Sequence, residues 1–83
     1  MPQPKRRKAV RTPKYLELRN LLVQTRKRAG LSQMALAERL HRPQSYVSKF
    51  ERGERRLDVL EFFEVMDALG ADGFKFLKKI LSR

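Results

Sequence analysis

Residues 31–53 carry the side chains best suited to chemistry, and their types favour hydrogen bonding to a ligand over covalent catalysis. Four polar residues are predicted to face outward or sideways from one short helix: Ser45, Tyr46, Ser48 and Lys49. The chain has a single histidine, His41, and no cysteine, and its acids are scattered along the sequence. No nucleophile and base can therefore be expected to meet in a compact site. We predict a binding protein with no enzymatic activity, cofactor or metal.

The first element that positions these side chains is a predicted helix over about residues 32–40. Ser32 is a suitable N-cap, because its hydroxyl can accept a backbone N–H of the first turn. The apolar residues that follow share one face of the helix: Leu36, Ala37 and Leu40. The chain must then turn sharply, which requires a residue that tolerates positive φ. His41 stands there, and histidine is enriched in that region among the non-glycine residues.

A second helix is predicted over about residues 43–50. It begins at Pro43 or Gln44, since proline is tolerated in the first turn of a helix. Val47 and Phe50 lie three residues apart and are expected to be buried. Two short helices with a tight turn, and polar side chains on the outer face of the second, have the layout of a DNA-reading helix-turn-helix.

Three further helices are predicted from apolar periodicity and from the glycines that follow it. Their ranges are about 15–29, about 58–69 beginning at an Asp58 cap, and from about residue 73 to the end. Leu60 is among the residues expected to supply apolar surface. No segment shows the alternation of a half-buried strand. We therefore predict an all-α protein, with one compact five-helix domain over residues 15–83.

The last predicted helix has a wide apolar face. Its apolar residues are Phe74, Phe76, Leu77, Ile80 and Leu81, which span roughly 160° of arc. A chain of 83 residues buries only a modest part of its surface. The width of this face therefore predicts a homodimer, formed through the last helix, or another protein partner.

No stretch approaches the roughly 18 apolar residues of a membrane span, and the basic N-terminus lacks the apolar region of a signal peptide. We expect no membrane association. The short single-domain layout suggests a bacterial or phage protein of the cytoplasm and nucleoid.

Positive charge is concentrated in part of the chain. The net charge is +11, and residues 1–14 contain no acid. That segment has few apolar groups, so it is predicted to be a disordered arm. Lys5, Arg6, Arg7 and Lys8 are its expected DNA contacts, although a solubilising tail or a nuclear-localisation signal would have similar composition. Residues 57–74 contain acids without a single Lys or Arg, so the fourth helix is expected to face away from a polyanion.

The region from about residue 18 to residue 70 resembles the lambda-repressor-like (Cro/C1-type, or Xre) helix-turn-helix family. The features that carry the resemblance are Arg26, Gly30, LSQ at 31–33, LA at 36–37, Val47, Ser48, ERG at 51–53 and DALG at 67–70. The sequence departs from the family pattern at His41, usually glycine, and at Pro43, usually a Ser or Thr cap. Met34 and Ala35 replace the usual acids after LSQ, so the second helix lacks a capping box.

The resemblance implies which residues read bases. Gln44 and Ser45 match the first positions of the recognition helix, and Lys49 lies further along the same face. Glutamine can pair with adenine, and lysine can approach guanine. Tyr46 could contact a thymine methyl group or a phosphate, or could cover the edge of the core.

Other residues match family positions that contact phosphate or stabilise the fold. The expected phosphate contacts are Gln33, Arg42, Ser48, Arg52, the Gly53 N–H, Arg55 and Arg56. Arg26 and Glu51 match an ion pair that joins the first helix to the end of the recognition helix. Phosphate contacts fix the register on DNA without reading sequence.

These features together predict a sequence-specific DNA-binding regulator, a repressor or controller. It is expected to bind a palindromic or pseudo-palindromic double-stranded operator as a homodimer. The alternatives are an antitoxin that regulates its own synthesis through the same domain, a protein-interaction adaptor with this fold, and an RNA-binding protein. The sequence offers no exposed aromatic platform for single-stranded RNA.

Overall fold

The computed structural model describes residues 12–82, and within them the chain forms five α-helices and no strand. The helices are α1 (Pro13–Arg28), α2 (Gln33–Leu40), α3 (Gln44–Glu51), α4 (Val59–Leu69) and α5 (Gly73–Leu81). The all-α prediction and all five helices are confirmed. α1 begins at Pro13, two residues before the predicted start of this helix at about residue 15.

Local capping explains where α1 begins. The Thr12 hydroxyl accepts the N–H of Tyr15 at 3.3 Å, and Pro13 fills the first turn. The Lys14 ammonium donates to the carbonyl of Ile80 at 2.8 Å, which joins the start of α1 to the end of α5. Lys14 is thus part of the folded domain, whereas the expected arm contacts at residues 5–8 lie outside the described residues.

The core lies where α2, α3 and α4 meet α1. Its most deeply buried large side chains are Leu22, Leu36, Val47, Phe50, Val65 and Met66. They come from the stripes that periodicity predicts on these helices, so hydrophobic burial holds the helix-turn-helix against the rest of the domain.

One feature of α4 departs from the sequence expectation. Leu60 is 75% exposed, whereas Phe62 is buried in the core. A capping box, with Asp58 and Glu61 each accepting the other's backbone N–H, starts α4 one turn before Phe62. At the start of α5, a Cβ on Gly73 would lie 2.6 Å from Cε1 of Phe63, so glycine permits the close approach of α5 to α4.

Candidate nucleic-acid interface

The turn between α2 and α3 sets the angle of the reading helix. His41 ends α2 with φ 56° and ψ 43°, in the left-handed region, as the sequence predicts. The N–H of Arg42 donates to the carbonyl of Ala37 at 3.0 Å, which closes the end of α2. Pro43 is the N-cap of α3 and has no side chain that can cap it. The recognition helix therefore begins at Gln44.

α3 has a buried face and an exposed face. Val47 and Phe50 are almost completely buried. Gln44, Ser45 and Lys49 are exposed, and Ser48 is half-buried. Three of the four predicted base-reading residues thus share the exposed side of α3, where a ligand could reach them.

A chain of hydrogen bonds connects the core to Gln44. Arg26 and Glu51 are buried, and they form a two-point ion pair, with Nε to Oε2 at 2.7 Å and Nη2 to Oε1 at 3.0 Å. The Gln33 amide donates to Oε1 of Glu51 at 2.9 Å, and the Gln44 amide donates to Oε1 of Gln33 at 3.5 Å. The ion pair is the one that the family resemblance implies.

This chain restricts the orientation of both amides. A carboxylate only accepts hydrogen bonds, so the NH₂ group of Gln33 must point to Glu51 and its oxygen to Gln44. Gln44 then has its own amide oxygen and one N–H left over. One acceptor and one donor on the same amide are the pair that adenine N6 and N7 require.

Tyr46 lies at the edge of the core and is not exposed on the face of α3. It is only 9% exposed, and its ring packs edge-on against Phe50 at 5.7 Å between centroids. The guanidinium groups of Arg42 and Arg55 lie 4.5 Å and 4.9 Å from the ring centroid. The hydroxyl is buried without a hydrogen-bond partner among the described residues, and this burial raises its pKa. Of the two positions that the sequence analysis allowed for Tyr46, the structure has the one at the edge of the core, where two arginines cover the ring.

Three of the arginines expected to grip phosphate are already paired with carboxylates. Arg42 contacts Glu64 at 3.3 Å, and Arg52 contacts Glu54 at 2.9 Å. Arg55 donates to both oxygens of Glu61, at 2.6 Å and 3.0 Å. These hydrogen bonds lower the pKa of Glu61 and raise that of Arg55.

Two acids of α4 therefore lie beside the cations next to α3. The sequence analysis expects this helix to face away from a polyanion and does not predict these ion pairs. Glu61 and Glu64 reach Arg55 and Arg42, the same two arginines that cover the Tyr46 ring. These ion pairs place acids of a separate helix at the edge of the candidate interface. They cannot be predicted from the distribution of charge along the sequence.

The loop after α3 is held by a tyrosine of α1. The Tyr15 hydroxyl accepts the N–H of Leu57 at 3.2 Å and donates to the carbonyl of Arg55 at 3.3 Å. Arg56 is exposed and lies 5.0 Å over the same ring. The Gly53 N–H, an expected phosphate donor, already donates to the carbonyl of Phe50 at 3.2 Å. Arg56 is thus the loop cation with the most accessible charge.

One residue near the interface was missed by the sequence analysis. Arg19 of α1 donates to the carbonyl of Glu51, at the end of α3, at 2.9 Å. It lines a cleft together with Lys27, Gln33 and Arg52. Arg19 precedes Arg26 by seven residues, which is two helical turns, so the periodicity of α1 could have placed both on one face.

The described residues 12–82 contain no group of three His, Cys, Asp or Glu side chains that could hold a metal ion. None of their helices is long and apolar enough to cross a membrane.

Comparison with known proteins agrees with this geometry. Residues 17–73 match a family model described as a helix-turn-helix domain. A solved structure, an XRE-family like protein from Pseudomonas syringae pv. tomato str. DC3000, is 44% identical to the chain and superposes with a TM-score of 0.85. The match covers 90% of this chain and 92% of that one. No curated protein matches the chain.

Proposed function

The chain belongs to the XRE family of helix-turn-helix DNA-binding regulators, and from this premise we propose that it is a sequence-specific repressor or controller that inserts α3 into the major groove. The observation that carries the proposal is Gln44, which is exposed at the start of α3 and connected through Gln33 and Glu51 to Arg26 in the core. An amide held in this way has less rotational freedom to lose when it pairs with a base.

The proposed roles divide the face of α3 and its surroundings. Gln44, Ser45 and Lys49 are the base-reading residues. Gln33, Ser48 and Arg56 contact phosphates, and Arg42, Arg52 and Arg55 do so only after leaving their carboxylate partners. We do not include Tyr46 among the base-reading residues, because its ring is covered.

We further propose that the regulator acts as a homodimer on a palindromic or pseudo-palindromic operator. The large apolar side chains exposed at the start of α4 and on α5 support a second copy: Val59, Leu60, Phe74 and Leu81. Exposed apolar residues grouped on neighbouring helices favour association. Such a regulator would work at the nucleoid, in the cytoplasm of a bacterium or of a phage-infected cell.

Selection of bound sequences from random duplex DNA tests the function. We expect an enriched site with two symmetric half-sites about one helical turn apart. A single asymmetric site would contradict the dimer. If no site is enriched while a protein partner is retained, the adaptor or antitoxin alternative is the better description.

Gln44→Ala tests the proposed role of Gln44 in reading a base. We expect operator affinity to fall by about 1–3 kcal/mol, with relaxed preference at one base position. Glu38→Ala, an exposed change on α2, serves as the control. Equal losses on the selected site and on random DNA would show that Gln44 does not read a base.

A further inference from the structure

Two carboxylates of α4 form ion pairs with arginines that could otherwise contact DNA. Glu61 and Glu64 are three residues apart, so they project from the same side of α4. Each holds one arginine beside the start of α3, namely Arg55 and Arg42. Both arginines lie over the Tyr46 ring, which fixes them at the edge of the exposed face.

We propose that Glu61 and Glu64 are intramolecular competitors of DNA phosphate for Arg55 and Arg42, and that they lower the sequence-independent part of DNA affinity. This inference rests on the proposed function. A phosphate that approaches either arginine must displace a carboxylate, so each new contact replaces an existing one. Weaker phosphate binding leaves a larger share of the binding free energy to the base-reading residues Gln44, Ser45 and Lys49.

The two pairs differ in how firmly they hold the arginine. Arg42 and Glu64 share a single contact of 3.3 Å, and their side chains are 37% and 55% exposed. Exposed pairs of this kind contribute little to stability, so phosphate can displace Glu64. Arg55 makes two contacts with Glu61, whose side chain is 14% exposed, and also donates to the Arg56 carbonyl at 3.2 Å. Phosphate should therefore displace Glu61 from Arg55 less readily than it displaces Glu64 from Arg42.

Glu64→Gln is the sharpest test, because the Glu64 side chain makes no other hydrogen bond or ion pair within residues 12–82. A salt titration with a labelled mixed-sequence DNA duplex would measure the change. We expect roughly three- to ten-fold tighter binding at about 0.1 M salt, and a slope of log K against log salt steeper by up to about 0.9.

The matched control is Asp67→Asn. Asp67 lies one turn further along α4, is exposed, and forms no ion pair with any residue in the range 12–82. It removes the same charge without releasing an arginine, so its effect should be much smaller. An equal gain from both variants would overturn the proposal, because general charge would then explain it. Weaker binding by Glu64→Gln would also overturn it, since the carboxylate would then position Arg42 for DNA.

A double variant identifies the cation. In an Arg42→Gln background the gain from Glu64→Gln should disappear, and a persistent gain would contradict the pairing. Glu61→Gln extends the test to Arg55, because glutamine at this position can still accept the Asp58 N–H of the capping box. Thermal unfolding checks that each variant is folded.

Failure of the inference and failure of the proposed function are distinguishable. If the unmodified protein binds DNA while Glu64→Gln behaves like Asp67→Asn, only the competition is wrong. If the unmodified protein binds neither a selected site nor mixed-sequence duplex, both are wrong.

Discussion

At the scale of single residues, the two buried tyrosines differ in how their hydroxyl groups contribute to the stability of the fold. The Tyr15 hydroxyl makes two hydrogen bonds to the loop after α3, whereas the Tyr46 hydroxyl makes none among the described residues. A buried polar group without a partner keeps its desolvation cost. Tyr46 therefore contributes to the fold through its ring, which packs on Phe50 and under two arginines.

This contrast predicts opposite effects for the same chemical change. Tyr46→Phe should leave the free energy of unfolding unchanged or raise it by up to about 1 kcal/mol, because it removes only the unpaired hydroxyl. Tyr15→Phe should lower that free energy by about 1 kcal/mol or more, because two hydrogen bonds are lost. Denaturant unfolding of both variants measures the difference. A destabilised Tyr46→Phe would mean that the hydroxyl has a partner in solution.

At the scale of the elements, the left-handed turn between α2 and α3 controls how the recognition helix is presented. His41 occupies a conformation that costs a residue with a Cβ about 1–2 kcal/mol. Its position between two eight-residue helices explains why the cost is tolerated, since the turn allows both Leu36 and Val47 to reach the core.

His41→Gly should therefore stabilise the protein by about 0.5–1 kcal/mol, because the relief of strain exceeds the added entropy of the unfolded chain. Gly70 offers the reverse experiment. It ends α4 at φ 70°, and a Cβ there would meet no atom within 4 Å, so Gly70→Ala introduces strain without a clash. We expect it to lower the free energy of unfolding by about 1 kcal/mol. A destabilised His41→Gly would show that the imidazole makes a stabilising contact.

At the scale of the whole molecule, charge is divided between a basic N-terminal segment and a domain in which several cations are paired. Residues 1–11 include five Lys or Arg residues and no acid. Within the described domain, the arginines closest to α3 are matched with carboxylates at four positions. We therefore expect the sequence-independent attraction to DNA to depend strongly on the N-terminal segment and on Arg56, which forms no ion pair within residues 12–82.

Deletion of residues 1–11 should flatten the slope of log K against log salt by several units, because each lost phosphate contact removes about 0.9 from it. The deletion ends before Thr12, so the cap of α1 is kept. A salt titration on the same duplex before and after deletion measures the effect. An unchanged slope would show that the segment makes no phosphate contact.

The sequence by itself determined the features that depend on neighbours a few residues away. Helix periodicity, the Ser32 and Asp58 caps and the left-handed His41 all follow from local backbone chemistry. The exposed Gln44 and Lys49 belong to this group too, because one face of a short helix is buried and the other is left outside.

Only the tertiary structure decided which distant groups meet. Tyr46 is buried because Arg42 and Arg55 converge on its ring, and those arginines are held by acids of α4. Leu60 is exposed because the packing of α4 turns Phe62 inward. Burial and ion pairing depend on the distances between helices. These distances cannot be derived from the spacing of residues along one helix.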